Sequence, residues 1–166
     1  MIYLNKFLLS IVPLILLSYS PVNFSSESVE GMNKMDNLQI VKGIYKGFET
    51  GDMEAILKNM SENIVWLHPG NPEQIPFGGK FEGEAGVQRF FDTAFAQIDV
   101  LEQKIYSFEG SGDKVLVVGF EHMRVKNTGK EYQSNWIHMY TLAHGKVITF
   151  EEFIDTAALV SAFALK

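Results

Sequence analysis

The sequence predicts an α+β fold, a cone-shaped curved antiparallel sheet with three N-terminal-side helices packed over a central cavity. Three observations predict it. Apolar residues recur at helical spacing in two stretches, Leu38 to Phe48 and Val87 to Ile98. Four runs rich in β-branched and aromatic residues then follow one another to Ile154, parted only by short turns. Acids also stand within two of those runs, on faces that are otherwise apolar.

The chain has 166 residues, 46% apolar and 20% charged, enough for one domain with one core. A net charge of -6, with no stripe of Lys and Arg among aromatics, argues against a nucleic-acid surface. There is no cysteine, which excludes disulfides, thiol nucleophiles and Cys-ligated metals. At the N-terminus Lys6 precedes an apolar run, Phe7 to Leu17, and small residues follow at Ser18 and Ser20. That is the shape of a secretory signal peptide over residues 1–20, too short for a comfortable membrane span, with an uncleaved membrane anchor as the alternative. The expectation is a periplasmic or secreted protein with no stable membrane span once the signal is removed. Residues 21–35 are polar and aperiodic and read as a flexible linker, leaving 36–166 as the folded domain.

Asp36 or Asn37 is placed to cap the first helix, in which Leu38, Val41, Ile44, Tyr45 and Phe48 form one stripe and Gly51 ends the run. Asp52 is placed to cap a second, short helix with Met53, Ile56, Leu57 and Met60 on one side. A strand follows from Asn63 to His68, stopped by Pro69-Gly70. The next stretch, Pro69 to Gly83, holds three prolines and four glycines and reads as a long loop. The third helix spans Gly83 to Asp99, where Val87, Phe90, Phe91, Ala94, Phe95 and Ile98 keep the i, i+3, i+4, i+7 rule. Its phenylalanines are expected in the core. Four strands come next, at Val100–Phe108, Lys114–Val125, Glu131–Leu142 and Val147–Ile154. Their short connections predict consecutive antiparallel neighbours. Ala157 to Ala164 suits a last helical turn or two, with Asp155 as its cap.

Alternation sorts the acids. In the last strand Ile148, Phe150, Glu152 and Ile154 share one face, and Val147, Thr149, Glu151, Phe153 and Asp155 share the other. Glu152 therefore points into an apolar interior, where loss of water is expected to raise its pKa. On the second of the four strands Val115, Val117, Gly119, Glu121 and Met123 share a face, again with one acid. Trp136, His138 and Tyr140 share a face of the third, and Trp66 and His68 share a face of the first strand of the domain. Glu152, Glu121 and His68 are the candidate acid/base groups. Trp66, Trp136, His138, Tyr45 and Phe150 are the candidate walls of a pocket. Two histidines and two glutamates offer metal ligands, but no HxH or HExxH spacing is present, and neither a metal nor a cofactor is expected.

Three segments together resemble a known family. They are the strand Val65-Trp66-Leu67-His68-Pro69, the stretch Ile75-Pro76-Phe77-Gly78-Gly79-Lys80-Phe81-Glu82-Gly83 leading to Phe90-Phe91, and the end Gly145-Lys146-Val147-Ile148 through Glu152-Phe153-Ile154-Asp155-Thr156-Ala157-Ala158. They resemble the SnoaL-like, or ketosteroid-isomerase-like, group of the nuclear transport factor 2 superfamily over about residues 36–165. The resemblance implies a cone with an internal ligand site, and a cofactor-independent isomerase, cyclase or hydrolase if the protein is an enzyme. It matches His68 to the strand-end carboxylate that acts as base in the isomerases, Glu152 to the acid of the last strand, and Glu121 to a second acid of the epoxide hydrolases. The arginine of those hydrolases falls at Gly119. The expected ligand is a small, mostly apolar, ring-containing molecule. The alternative is a non-catalytic ligand-binding or dimerisation module, with the outer sheet face buried against a second copy in a homodimer.

Overall fold

The computed structural model describes residues 26–165, with side chains from Asp36 onward, so the proposed signal peptide lies outside the described residues. The chain forms α1 (Ser26–Thr50), α2 (Met53–Leu57), β1 (Met60–His68), β2 (Gly79–Glu82), α3 (Gly83–Gln97), β3 (Ile98–Ser111), β4 (Lys114–Val125), β5 (Glu131–Ala143), β6 (Lys146–Ile154) and α4 (Thr156–Phe163). The six strands make one sheet in the order β2-β1-β6-β5-β4-β3. Among the described residues no helix is long and apolar enough to cross a membrane.

The four-strand meander is as the turns predict, and β4 has the predicted ends. The pairing of β1 is not a matter of turns. It lies parallel to β6, strands from opposite ends of the domain, with Trp66 opposite Phe150 and Leu67 opposite Glu151. A parallel pair needs a long crossover, and here the crossover is everything between them. That pairing brings the end of β1, with His68, beside Glu152.

Three sequence expectations are corrected. The segment 26–35, expected in the linker, belongs to α1, which starts at Ser26. Asp36 and Asn37 therefore sit inside a helix, and Asn37 instead donates its side-chain amide to the Gly112 carbonyl at 3.2 Å, tying α1 to the β3–β4 turn. The Pro- and Gly-rich loop contains β2, a short edge strand antiparallel to β1, with His68 opposite Gly79 and Trp66 opposite Phe81. Its four residues are too few for a periodicity to register against the turn residues around it. In β6 the alternation breaks. Thr149 pairs with Thr141 but Val147 pairs with Leu142, so Ile148 is the extra residue of a bulge. Val147 is consequently buried and Ile148 exposed, the reverse of the expected assignment, while Phe150 and Glu152 keep their inward faces.

The core lies between the concave sheet face and the helices. Val41, Ile44 and Tyr45 of α1 and Val87, Phe90 and Phe91 of α3 pack on Trp66, Val115, Val117, Trp136, Tyr140 and Phe150. Burial of such side chains contributes about 1.5–3 kcal/mol each. Phe95, expected in that core, is 52% exposed. It lies in the last turn of α3, where it borders the cavity instead of filling the core. The caps at Asp52 and Asp155 form as the sequence predicts, accepting from the backbone N–H of Ala55 and Ala158 at 2.9 and 3.0 Å.

Candidate active site

The cone encloses a cavity of about 330 Å³. Most of its wall is aromatic: Phe77, Phe90, Phe91, Phe95, Phe150 and Trp66, with Phe48 and Tyr45 from α1. Trp66 and Phe150, opposite each other on β1 and β6, stack with ring centres 3.6 Å apart. Four of its lining residues besides the tyrosines are ionisable, His68, His138, Glu121 and Glu152, and Gln103 adds a neutral amide. Among the described residues no lysine or arginine lines it.

Glu152 stands at the centre of a chain of hydrogen bonds. Its Oε2 is 3.1 Å from Nε2 of His68, and its Oε1 is 3.0 Å from Nε2 of His138. Strand register explains the convergence: His138 is directly opposite Glu152 across β5–β6, and the parallel β1 supplies His68 from the other side. The remaining ring nitrogens are also occupied. His68 Nδ1 is 2.9 Å from the Pro69 carbonyl oxygen, and His138 Nδ1 is 2.6 Å from the Tyr45 hydroxyl. A carbonyl can only accept, so His68 Nδ1 donates to it. With Glu152 ionised, its carboxylate can only accept, so His68 Nε2 faces it as a donor. His138 has a choice, since a tyrosine hydroxyl both donates and accepts.

Burial pushes the Glu152 carboxyl up, but the nearby histidines, His138 first and then His68, outweigh it and hold the group well below the usual carboxylate range. This corrects the expectation of a raised value. The desolvation penalty is present, and two imidazoles that the sequence could not place at hydrogen-bonding distance offset it.

Glu121, on the neighbouring part of the concave face, behaves in the opposite way. Burial drives it up, the Glu152 charge drives it further, and the Tyr132 hydrogen bond pulls it back only in part, leaving it at about 8. Tyr132 donates to Glu121 Oε1 at 2.8 Å. Burial, reinforced by the neighbouring Glu121, keeps that phenol protonated far above its ordinary range. Glu121 Oε2 has no hydrogen-bond partner among the described residues, and the side chain borders the cavity. The site thus holds one carboxylate with both oxygens engaged and one carboxylic acid with an oxygen free.

The structure brings together His68, His138, Glu121, Glu152, Trp66, Phe150 and Tyr45 around one cavity, as the sequence predicts. It does not bring Trp136 to the wall. That indole lies behind His138, stacked on the imidazole with ring centres 4.0 Å apart. Sequence reasoning missed Tyr132, although it shares the parity of Ser134, Trp136 and His138, and one more step of the same alternation reaches it. It also missed Phe77, whose ring meets His68 edge-on at 4.9 Å. Phe77 sits in an irregular segment, where no periodicity could assign it a face. The two imidazoles direct Nε2 at Glu152, and among the described residues no group of three or more acidic and histidine side chains is arranged to hold a metal ion.

Comparison with known proteins agrees with this architecture. The profile of the SnoaL-like domain matches residues 41–150. A nuclear transport factor 2-like protein from Burkholderia xenovorans is 32% identical, with a TM-score of 0.72, over 81% of this chain and 100% of that one. A second nuclear transport factor 2-like protein, from Burkholderia thailandensis, shares the fold at 24% identity and a TM-score of 0.71, over 78% of this chain and 98% of its own. TerC, co-crystallised with polyporic acid, is 26% identical with a TM-score of 0.63, over 77% of this chain and 98% of its own. No curated protein matches.

Proposed function

The chain belongs to the SnoaL-like domain family, and from that premise we propose that it binds a small, mostly apolar, ring-containing molecule in the cone and moves a proton on it without a cofactor, as an isomerase, cyclase or hydrolase does. The observation that carries the reading is the unequal state of two buried carboxyls facing one aromatic cavity. The co-crystal of TerC with polyporic acid supports a small-molecule ligand. A general acid/base works best when its pKa lies near the working pH, because both forms are then populated. Glu121, at about 8, meets that condition. As the carboxylate it takes a proton from a ligand carbon through Oε2, and as the acid it returns the proton to a second position, so no net proton is consumed. Glu152 is spoken for by two imidazoles. Its role is to hold a fixed negative charge that opposes ionisation of Glu121 and to lock His68 and His138 into the wall.

The test is hydrogen–deuterium exchange at the α-carbon of a bicyclic ketone, 2-tetralone, in D2O near neutrality, followed by proton NMR. The wild type should exceed the buffer rate by about 10²-fold or more, the range of positioned acid/base catalysis. Glu121→Gln should return it to the buffer rate. A Glu121→Gln variant as fast as the wild type would remove Glu121 from the role.

A second reading is a non-catalytic module that pairs with itself. It is favoured by the outer sheet face, where Val118, Ile137 and Phe153 form a row across β4, β5 and β6. Ile137 and Phe153 are 41% and 48% exposed. We propose that a second copy covers this row, which light scattering at high concentration tests: a monomer there refutes it. We propose, from the apolar run at Phe7 to Leu17, that the protein is exported, and mass spectrometry of the periplasmic or secreted fraction, reading the N-terminus, tests it.

A further inference from the structure

One position on the concave face combines a missing side chain with an oversized one. Gly119, in the middle of β4, pairs with Trp136 of β5. A Cβ at 119 would stand 2.2 Å from Cζ2 and 2.5 Å from Cη2 of that indole, and 2.5 Å from the backbone oxygen of Lys104. The six-membered ring of the indole therefore occupies the volume where a side chain from β4 would otherwise project. Trp136 is 1% exposed and does not border the cavity, yet the residues around it do. His138 covers one face, Tyr45 lies parallel to it with ring centres 6.4 Å apart, and Glu121 is the next inward residue of β4.

We propose that Trp136, seated on Gly119, is the specificity-determining residue of the cavity: it fills the interior between Glu121, His138 and Tyr45 and so limits how many fused rings a ligand can place there. The inference rests on the ligand-binding reading above and deepens it. The physical reason is close packing. An interior void beside a cavity is only partly refilled by relaxation of the surrounding sheet, whose inward residues are held by register. Removing the indole extends the cavity toward Gly119 rather than collapsing it. The extension has the Lys104 backbone oxygen, the His138 imidazole and the free Glu121 oxygen at its edges and bare backbone at its floor, so it accepts a further flat ring.

Fluorescence titration with two probes of different size, 2-naphthol with two rings and 1-hydroxypyrene with four, tests the proposal. The wild type should bind 2-naphthol more tightly than 1-hydroxypyrene. Trp136→Leu should tighten 1-hydroxypyrene by about tenfold or more, the scale on which apolar pockets discriminate by fit, and change 2-naphthol far less. Trp136→Phe keeps a ring on Gly119 and should shift the same ratio in the same direction by less, which secures the result if the leucine variant fails to fold. An unchanged ratio in a folded variant overturns the inference and leaves ligand binding standing. A wild type that binds neither probe overturns ligand binding and this inference together.

Discussion

Glu121 and Glu152 share a residue type, a sheet face and a nearly equal degree of burial, at 7% and 8% exposure. Their protonation states are opposite, and the partners explain the difference. Glu152 receives two imidazole N–H groups. Glu121 receives one phenol, and a phenol carries no charge to set against a buried carboxylate. Burial alone therefore does not fix the sign of the net shift: desolvation acts on both, and the hydrogen bonds and charges that meet each carboxyl decide whether it is reversed. The two are also linked, because the charge retained on Glu152 helps keep the proton on Glu121.

The largest expected effect comes from abolishing the anion between the histidines. Glu152→Gln takes away the carboxylate that both imidazoles share, and should cost about 1.5–3 kcal/mol in urea unfolding at neutral pH, the scale of a hydrogen bond to a charged group. In the same variant Glu121 loses its repelling neighbour, so its titration, followed by carbon NMR of the carboxyl, should move down. Glu121 unmoved would mean the carboxyls are independent.

Next in size is the pH dependence of stability. For Glu121 the folded pKa, about 8, lies above the ordinary 4.5, so the folded state holds more protons than the unfolded state between those values. Stability from this group is full below 4.5 and is lost as pH rises through 8, with a slope of at most ~1.4 kcal/mol per pH unit. Glu152 has the opposite sign: its depressed value contributes stability above the ordinary carboxylate range, which is lost as pH falls. Glu121→Gln should flatten the decline between pH 5 and 8 relative to the wild type and leave the acid limb in place. Parallel curves for the two proteins would contradict the raised value.

The smallest effect tests the phenol. Tyr132→Phe removes a hydrogen bond that favours the ionised Glu121, so Glu121 should titrate still higher, at a stability cost of about 1 kcal/mol. A downward movement would show that the hydroxyl serves the neutral acid instead.

Much of the site was legible in the sequence. Two-residue alternation places Glu121, Glu152, His138 and Trp66 on one face because β4 and the relevant halves of β5, β6 and β1 run without interruption there. Alternation failed where a bulge adds a residue, at Ile148, since nothing in Lys146-Val147-Ile148-Thr149 marks which residue is extra. Helical periodicity located α3 but not the exposure of Phe95, because periodicity gives a direction and not whether core or cavity lies in that direction. The segment 26–35 continues α1: Val29, Met32 and Met35 recur every third residue into Leu38, a repeat that its polar composition masked.

Local sequence determined the strands, the capped helices at Asp52 and Asp155, the hairpin turns and the inward parity of both glutamates, because each depends on neighbours a few residues away. Tertiary structure decided what those inward groups meet. The parallel pairing of β1 with β6 set His68 on Glu152, the β5–β6 register set His138 on its other oxygen, and the bare backbone of Gly119 made room for the Trp136 indole. Those contacts join residues far apart in the chain, and the protonation of a buried acid is set by distances of a few ångströms to charges that only the folded chain brings near.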